Sequence, residues 1–230
     1  ASTGVLTFVS APNFEAPSDA GGINIYDVTV QVSDGTNTDT QAMAVTVTNL
    51  NDIAPVITSN GGGATAGVSV AENSTAVTTV TATDADGTTT YTYSISGGAD
   101  ATKFAIDAST GALAFVSAPN FDVAGDADAD NVYDVVVQVS DGTNVDTQAI
   151  AVTVTGVNDN TPAITSNGGD ATAGVSVAEN ATAVTTVTAS DADQGTGSSL
   201  TYSISGGADS TKFAINGSTG ALTFVSAPNY

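Results

Sequence analysis

The sequence predicts an all-β protein: tandem, seven-stranded Greek-key β-sandwiches stacked end to end. Three observations lead there. Thr, Val, Ala, Gly and Ser dominate, Leu is scarce, Met occurs once and Lys and Arg together only 2 times, a palette of strands and turns. Short apolar–polar alternations recur between clusters of Gly, Asn and Asp, and no stretch holds a helical period. The chain also repeats itself at the length of a whole domain, too long for a solenoid turn.

The repeat sets the domain boundaries. Ser33-Asp34-Gly35 returns 107 residues later as Ser140-Asp141-Gly142, and Asn51-Asp52 returns at the same offset as Asn158-Asp159. Ala1-Ser2-Thr3-Gly4 recurs as Ala108-Ser109-Thr110-Gly111 and, 109 residues further on, as Gly217-Ser218-Thr219-Gly220. The two extra residues fall in 194–199, against 87–90 in the earlier copy, which marks a surface loop. The chain thus reads as the back half of one domain (1–52), one complete domain (53–159) and the front part of a third (160–230). Because residue 1 lies inside a repeat, the native chain is expected to extend beyond both ends.

Within the complete copy the elements follow in order. Pro55–Thr58 and Val68–Val70 form two parts of one edge strand, split by Gly61-Gly62-Gly63. Ala76–Thr83 reads as a half-buried strand, and Tyr91–Ser96 carries Tyr91, Tyr93 and Ile95 on one face. Phe104–Ile106 is short, and Ala112–Val116 follows a tight turn at Ser109-Thr110-Gly111. Val132–Val139 and Gln148–Val154 close the domain around a turn at 141–144.

Charge narrows the function. Asp and Glu number 24 against Lys103 and Lys212, for a net charge of −22. Phosphate neutralisation needs clustered Lys and Arg, so nucleic acid is excluded as a partner, and anionic membranes are disfavoured. Like charge at this density repels itself unless counter-ions occupy it, and divalent cations are the hard, oxygen-seeking choice. Some of the acids are expected at ion sites and the rest on a solvated acidic surface. Cysteine and histidine are absent, which removes disulfides and thiol chemistry and leaves catalysis improbable. No signal peptide, transmembrane run or lipidation motif is present in this segment, so no membrane insertion is expected of it.

The polar links Leu50–Pro55 and Val157–Pro162 join successive copies, each closed by a proline that cannot donate to a ladder. They are rich in oxygen donors, and calcium takes six to eight oxygens from carboxylates, carbonyls and water. Around them runs an ordered series: Val-Ala-Glu-Asn, Asp-Ala-Asp, Phe-x-Ile, Thr-Gly-x-Leu, Pro-Asn-Phe-acid, Ser-Asp-Gly, Asn-Asp. This series resembles the cadherin repeat, an immunoglobulin-like sandwich. More narrowly, it resembles the bacterial cadherin-like repeats of giant secreted surface adhesins of the repeats-in-toxin type.

That resemblance implies Ca2+ between successive domains and a ligand set for each link. For 50–54 the set is Glu15, Asn51, Asp52, Asp84, Asp86 and Asp141. For 157–161 it is Glu72, Asp122, Asn158, Asp159, Asn160, Asp191 and Asp193, with the carbonyls of Val157 and Asn160. Asn13 and Asn120 stand where the family has an aspartate, and Ile53 replaces the second Asn of the link, so the ion count per junction stays open. If the family uses that side chain, the 50–54 site is the weaker and more variable. The implied affinity is that of extracellular modules, roughly 10⁻⁴–10⁻³ M.

Other features read more plainly. Asp126-Ala127-Asp128-Ala129-Asp130 lacks the glycine and distal glutamate of an EF-hand and reads as a solvated loop, an extra ion being the alternative. Asn73-Ser74-Thr75, Asn180-Ala181-Thr182 and Asn216-Gly217-Ser218 fit the N-glycosylation pattern and, in a bacterial protein, are expected to be unused. Lys103 and Lys212 read as surface charges at strand starts. The favoured function is a calcium-rigidified extender of a bacterial cell-surface adhesin, working outside the cell in adhesion or biofilm cohesion, with neighbouring repeats as partners. One alternative is an extracellular filament or coat subunit, identical chains joining head to tail by domain complementation. A carbohydrate-binding module is the other, although Tyr and Phe fall mostly at core-facing positions.

Overall fold

A computed structural model describes residues 4–87, 90–193 and 199–230. Among them every regular element is a strand or a single 3-10 turn. In chain order the strands are β1 (Ile25–Ser33), β2 (Thr38–Thr46), β3 (Val56–Ile57), β4 (Thr65–Ala71), β5 (Ala76–Thr79), β6 (Ala82–Thr83), β7 (Thr92–Gly97), β8 (Phe104–Ile106), β9 (Ala112–Phe115), β10 (Val132–Ser140) and β11 (Val145–Thr155). There follow β12 (Ala163–Ile164), β13 (Ala183–Thr186), β14 (Ala189–Ser190), β15 (Phe213–Ile215) and β16 (Ala221–Phe224).

The middle copy is an all-β sandwich. One sheet has the order β4-β11-β10-β7; opposite it run β5-β9-β8 and the short pair β3-β6. β10-β11 and β8-β9 are consecutive hairpin partners, whereas β4 beside β11, β10 beside β7 and β5 beside β9 are crossover neighbours, as Greek-key connections require. Val137 faces Ile95 and Val139 faces Tyr93 across β10 and β7, with a bulge between Val136 and Val137. Alternation along β10 buries Tyr133, Val135, Val137 and Val139, and along β11 Ile150, Val152 and Val154. Phe104 and Phe115 stack at 4.6 Å, and Tyr133 meets Phe115 edge-on at 5.1 Å.

The expected first strand is split as its glycines suggest. A 3-10 turn at Ser59–Gly61 separates β3 from β4, with Asn60 left-handed at φ 52. The turn is held from the core by Gln148, wholly buried, whose Nε2 donates to Gly63 O at 2.8 Å and whose Oε1 accepts from Asn60 Nδ2 at 3.2 Å. The stretch Ala76–Thr83 is not one strand. β5 pairs with β9 and β6 with β3, so the chain changes partner across Val80 and Thr81, where Thr81 O accepts from Thr58 N. Gly111, at φ 72, closes the turn before β9; a Cβ there would strike Val80 O.

The flanking copies show how far strand structure depends on a partner. In residues 4–52 the pair β1-β2 keeps the register Ile25 to Thr46 through Ser33 to Thr38, and Phe8 meets Tyr26 at 5.1 Å as Phe115 meets Tyr133. In 160–230, β13-β16-β15 and β12-β14 reproduce the three-stranded sheet and the short pair. Yet Tyr202–Gly207, identical in sequence to Tyr93–Gly98, forms no ladder. An open cleft of about 790 Å³ is lined by Ile164, Val187, Tyr202, Ile204, Phe213 and Leu222. A Cβ on Gly98 would strike Asp134 O and Val135; on Gly207 it meets nothing within 4 Å. The expected two-residue insertion at 194–199 lies, apart from Ser199, outside the described residues, as does most of the first Ala-Ser-Thr-Gly turn.

By internal packing the chain divides into two units: 1–68 with 76–116 and 133–152, and 69–75 with 117–132 and 153–230. All six residues expected around 50–54 fall in the first, and all seven expected around 157–161 in the second.

Candidate metal centres at the two links

The first cluster gathers Glu15, Asp52 and Asp86, one carboxylate oxygen of each lying within 4.8 Å of the others. Each comes from a different segment: the turn before β1, the link itself, and the turn after β6. Asp86 is 91% buried, being 9% exposed, and its Oδ2 accepts from Ile53 N at 2.8 Å. Asp84 Oδ1 accepts from Asp86 N at 2.8 Å and so fixes the Asp-Ala-Asp turn. Asn49 Nδ2 donates to Asp86 O at 2.6 Å, and Asn144 Nδ2 to Ile53 O at 3.2 Å. Asp141 Oδ1 accepts from Thr143 N and Asn144 N, each at 2.7 Å. Those donors, Asn144 foremost, hold its pKa below the usual carboxylate range.

What the first cluster lacks is donors on its inner side. Glu15 Oε1, Asn51 Oδ1, Asp84 Oδ2, Asp86 Oδ1 and Asp141 Oδ2 are all buried without a hydrogen-bond partner. A buried acceptor left unpaired costs on the order of 1–3 kcal/mol, more when charged. Five at one link, four of them carboxylate oxygens, form a donor set suited to a hard, oxygen-seeking cation.

The second cluster gathers Glu72, Asp122 and Asp159 within the same 4.8 Å. Glu72 is 3% exposed and braces two segments, accepting from Val157 N at Oε1 and Phe121 N at Oε2, each at 2.7 Å. Asp193 Oδ2 accepts from Asn160 N at 2.7 Å, and Asp191 Oδ1 from Asp193 N at 3.0 Å, repeating the Asp86 and Asp84 arrangement. Asn158 is exposed. Desolvation, then the charges of Asp193 and Glu72, push the Asp122 carboxyl up, whereas the Asn160 side chain, foremost, holds Asp193 down.

Here the inner space holds an amide. Asn160 Nδ2 donates to Asp122 Oδ2 at 2.7 Å, Asp193 Oδ1 at 3.0 Å and Asp159 Oδ1 at 3.1 Å. Asn73 Nδ2 donates to Asp159 Oδ2 at 2.6 Å. Of the buried unpartnered oxygens among the described residues, only Asn131 Oδ1 lies on a residue bracing this cluster, and none is a carboxylate oxygen of Glu72, Asp122, Asp159, Asp191 or Asp193.

Several asparagines at these sites escaped the sequence reading. Asn73, left-handed at φ 63, braces the second cluster through Asp159; the sequence offered it as the end of Val-Ala-Glu-Asn and as a glycosylation triplet, not as a member of the ligand set. Asn24 and Asn131, at φ 64, each donate Nδ2 to the carbonyl of Phe14 or Phe121, locking the segments that carry Glu15 and Asp122. Their recurrence at 107 residues was the available signal. Asp126, Asp128 and Asp130 also converge within 4.8 Å. Asp126 there accepts from Asp130 N and Asn131 N, as Asp19 does from Ile23 N and Asn24 N, so its conserved geometry between the copies is that of a loop brace.

Sandwiches of this strand order, with acidic links, have the fold of cadherin extracellular domains. A family model described as the cadherin domain matches residues 174–227. Over 92 residues, 39% of this chain, the sequence is 39% identical to Protein dachsous of Drosophila melanogaster, of which the match spans 2%. Among solved structures, the protocadherin gammaB7 EC3-6 cis-dimer superposes with a TM-score of 0.67 at 23% identity, covering 90% of this chain and 51% of that one. Human CDH23 EC21-23 does so with a TM-score of 0.67 at 21% identity, covering 93% and 68%. Protocadherin gamma B2 extracellular cadherin domains 3-6 give 0.63 at 22%, covering 92% and 53%. The chain spans about half the length of these protocadherin chains. The likeness to these structures is one of fold, and the cadherin domain model matches within residues 174–227.

Proposed function

We propose that this chain is a calcium-rigidified extender segment of a surface adhesin of the bacterial cadherin-like type, with domains at 1–52, 53–159 and 160–230. The supporting observation is the set of five buried oxygens without donors at Glu15, Asn51, Asp84, Asp86 and Asp141. Bound there, Ca2+ would neutralise converging carboxylates and cross-link the segments that carry them. The residues of the chain do the positioning. Ile53 N and Asp84 orient Asp86, Thr143 and Asn144 orient Asp141, and Asn24 steadies the turn before Glu15. The near-identity of successive copies, the absence of cysteine and the net charge of −22 fit an extracellular array whose stiffness is set by metal. Small-angle scattering and thermal melting across a calcium titration test this: calcium should extend the maximum dimension and raise the melting temperature. Unchanged values in EDTA would refute it.

The apolar cleft of residues 160–230 favours one second reading. In the middle copy β7 pairs with β10 of the β10–β11 hairpin, and β1–β2 is a hairpin of the same type, so in this reading a second copy supplies that hairpin to the cleft and completes the domain head to tail. Light scattering decides it: mass rising with concentration supports assembly, and a constant monomer mass rejects it. The aromatic residues do not support sugar binding, since Tyr93, Phe104, Phe115 and Tyr133 are buried.

A further inference from the structure

The turn before β16 is built like the turn before β9. Asn216 O accepts from Gly220 N and Asn216 N donates to Ala221 O, each at 2.9 Å, as Asp107 O accepts from Gly111 N and Asp107 N donates to Ala112 O at the same distance. Asp107 and Asn216 are both exposed, and each turn is closed by its own hairpin, β8–β9 or β15–β16. The chemical difference lies in the first two residues: Asp107-Ala108 in one copy, Asn216-Gly217 in the next.

Asn216-Gly217 has what attack of the backbone on a side-chain amide needs. The nucleophile is Gly217 N, which donates to no acceptor among the described residues. Glycine has no Cβ to shield it. The electrophile is Asn216 Cγ, whose Oδ1 accepts from Ser218 N at 3.0 Å and Thr219 N at 2.9 Å. Two N–H groups on that oxygen draw charge from Cγ, and they meet the atom that turns anionic in the tetrahedral intermediate. Asn60-Gly61 is the same pair without the freedom. Asn60 Nδ2 donates to the wholly buried Gln148 at 3.2 Å and Oδ1 accepts from the Thr78 hydroxyl at 3.0 Å, so the fold holds that amide at both ends.

We propose that Asn216 is a site of spontaneous deamidation, and that its aspartate product is the turn already built at Asp107. Solvent hydroxide takes the Gly217 N–H proton and the nitrogen bonds to Asn216 Cγ. The Cγ–Nδ2 bond breaks and the nitrogen leaves as ammonia, the proton being restored by water. Water then opens the five-membered imide. Opening at Cγ gives aspartate, which keeps both N–H donors as charge-assisted bonds. Opening at the main-chain carbonyl gives isoaspartate, whose extra main-chain carbon shifts the carbonyl that Gly220 N bonds. Either product adds one negative charge to a neutral turn.

The full chain, held folded at mildly alkaline pH and sampled over time, tests this by peptide mass. Cleavage after Lys103 and Lys212 puts Asn60-Gly61 in 1–103 and Asn216-Gly217 in 213–230, and fragment-ion masses locate each change. Asn216 should convert about tenfold or more faster than Asn60. In denaturant Asn60 should rise to match it, because the bonds to Gln148 and Thr78 are gone. Gly217→Ala copies Ala108, and its Cβ meets Tyr202 O at an ordinary 3.5 Å. It should slow conversion about tenfold. Asn216→Asp should melt as the parent does. Equal rates at Asn216 and Asn60 in the folded chain, conversion at Asn229 in place of Asn216, or a Gly217→Ala chain as fast as the parent overturns the site. So does a folded rate at Asn216 more than about tenfold below its rate in denaturant, since the turn would then shield Cγ. A marked drop in melting temperature for Asn216→Asp overturns the claim that the Asp107 turn is its product.

Discussion

At the scale of single residues, the repeat offers its own controls. Asp107 closes the turn before β9, its Oδ1 accepting from the Ser109 hydroxyl at 2.8 Å and from Thr110 N and Ser109 N. Those bonds, the Ser109 hydroxyl foremost, lower its pKa from 3.8 to about 2. The folded value lies below the unfolded one, so the stabilisation is complete above the ordinary carboxylate range and is lost as pH falls toward 2. Asn216 occupies the same place in the next copy and accepts from Ser218 N and Thr219 N with a neutral amide. Asp107→Asn should therefore keep the turn and flatten the acid limb of the middle copy's melting temperature between about pH 4 and pH 2. An unchanged acid limb would count against the assignment. Gly111→Ala is different in kind. It places a Cβ against Val80 O at positive φ, and the middle copy should lose roughly 2–4 kcal/mol in a denaturant melt.

At the scale of elements, the strands and their order were legible because short alternating runs recur in register with their turns. The break in Ala76–Thr83 was not, since both halves have the same composition and only the partner changes, from β9 to β3. Tyr202–Gly207 repeats the sequence of Tyr93–Gly98, yet it forms no ladder where Thr92–Gly97 pairs with β10. Strand propensity is a statement about surroundings. The acids proposed for the two links came from the resemblance to the cadherin repeat, and the structure brings Glu15, Asp52 and Asp86 together at one link and Glu72, Asp122 and Asp159 at the other. The asparagines that orient them were hidden, since Asn is also the ordinary residue of left-handed turns. Gln148 was hidden likewise, inside an apolar alternation. Its replacement by Leu should leave Gly63 O and Asn60 Nδ2 without partners and cost about 2 kcal/mol, read as a lower denaturant midpoint with an unchanged slope.

At the scale of the whole molecule, charge and junctions set the behaviour. With −22 spread over 230 residues, the ion-free chain repels itself. Its melting temperature in EDTA should therefore rise as NaCl increases from about 10 mM to about 0.5 M, because the Debye length shrinks. A fall over that range would show that net attraction dominates. Asp159→Ala removes the acceptor shared by Asn73 and Asn160 and lies outside every strand. It should loosen the 157–161 link in scattering while shifting the sandwich melt by no more than about 2 °C. A large drop in melting temperature would place Asp159 in the fold instead of the hinge.

Glu72 carries a mechanical consequence. It ties the end of β4 to Val157, on the outgoing chain, and to Phe121 beside Asp122, with one carboxylate oxygen on each. If the proposed array is pulled from its ends, the load enters the 157–161 link through the backbone at Val157, which Glu72 holds. A buried carboxylate with two separate anchors spreads the pull over three segments, so the link yields only when both hydrogen bonds give way together. Glu72→Ala would leave the load on a single strand of polar chain, and in a pulling experiment the 157–161 link should lengthen before either neighbouring sheet is disturbed.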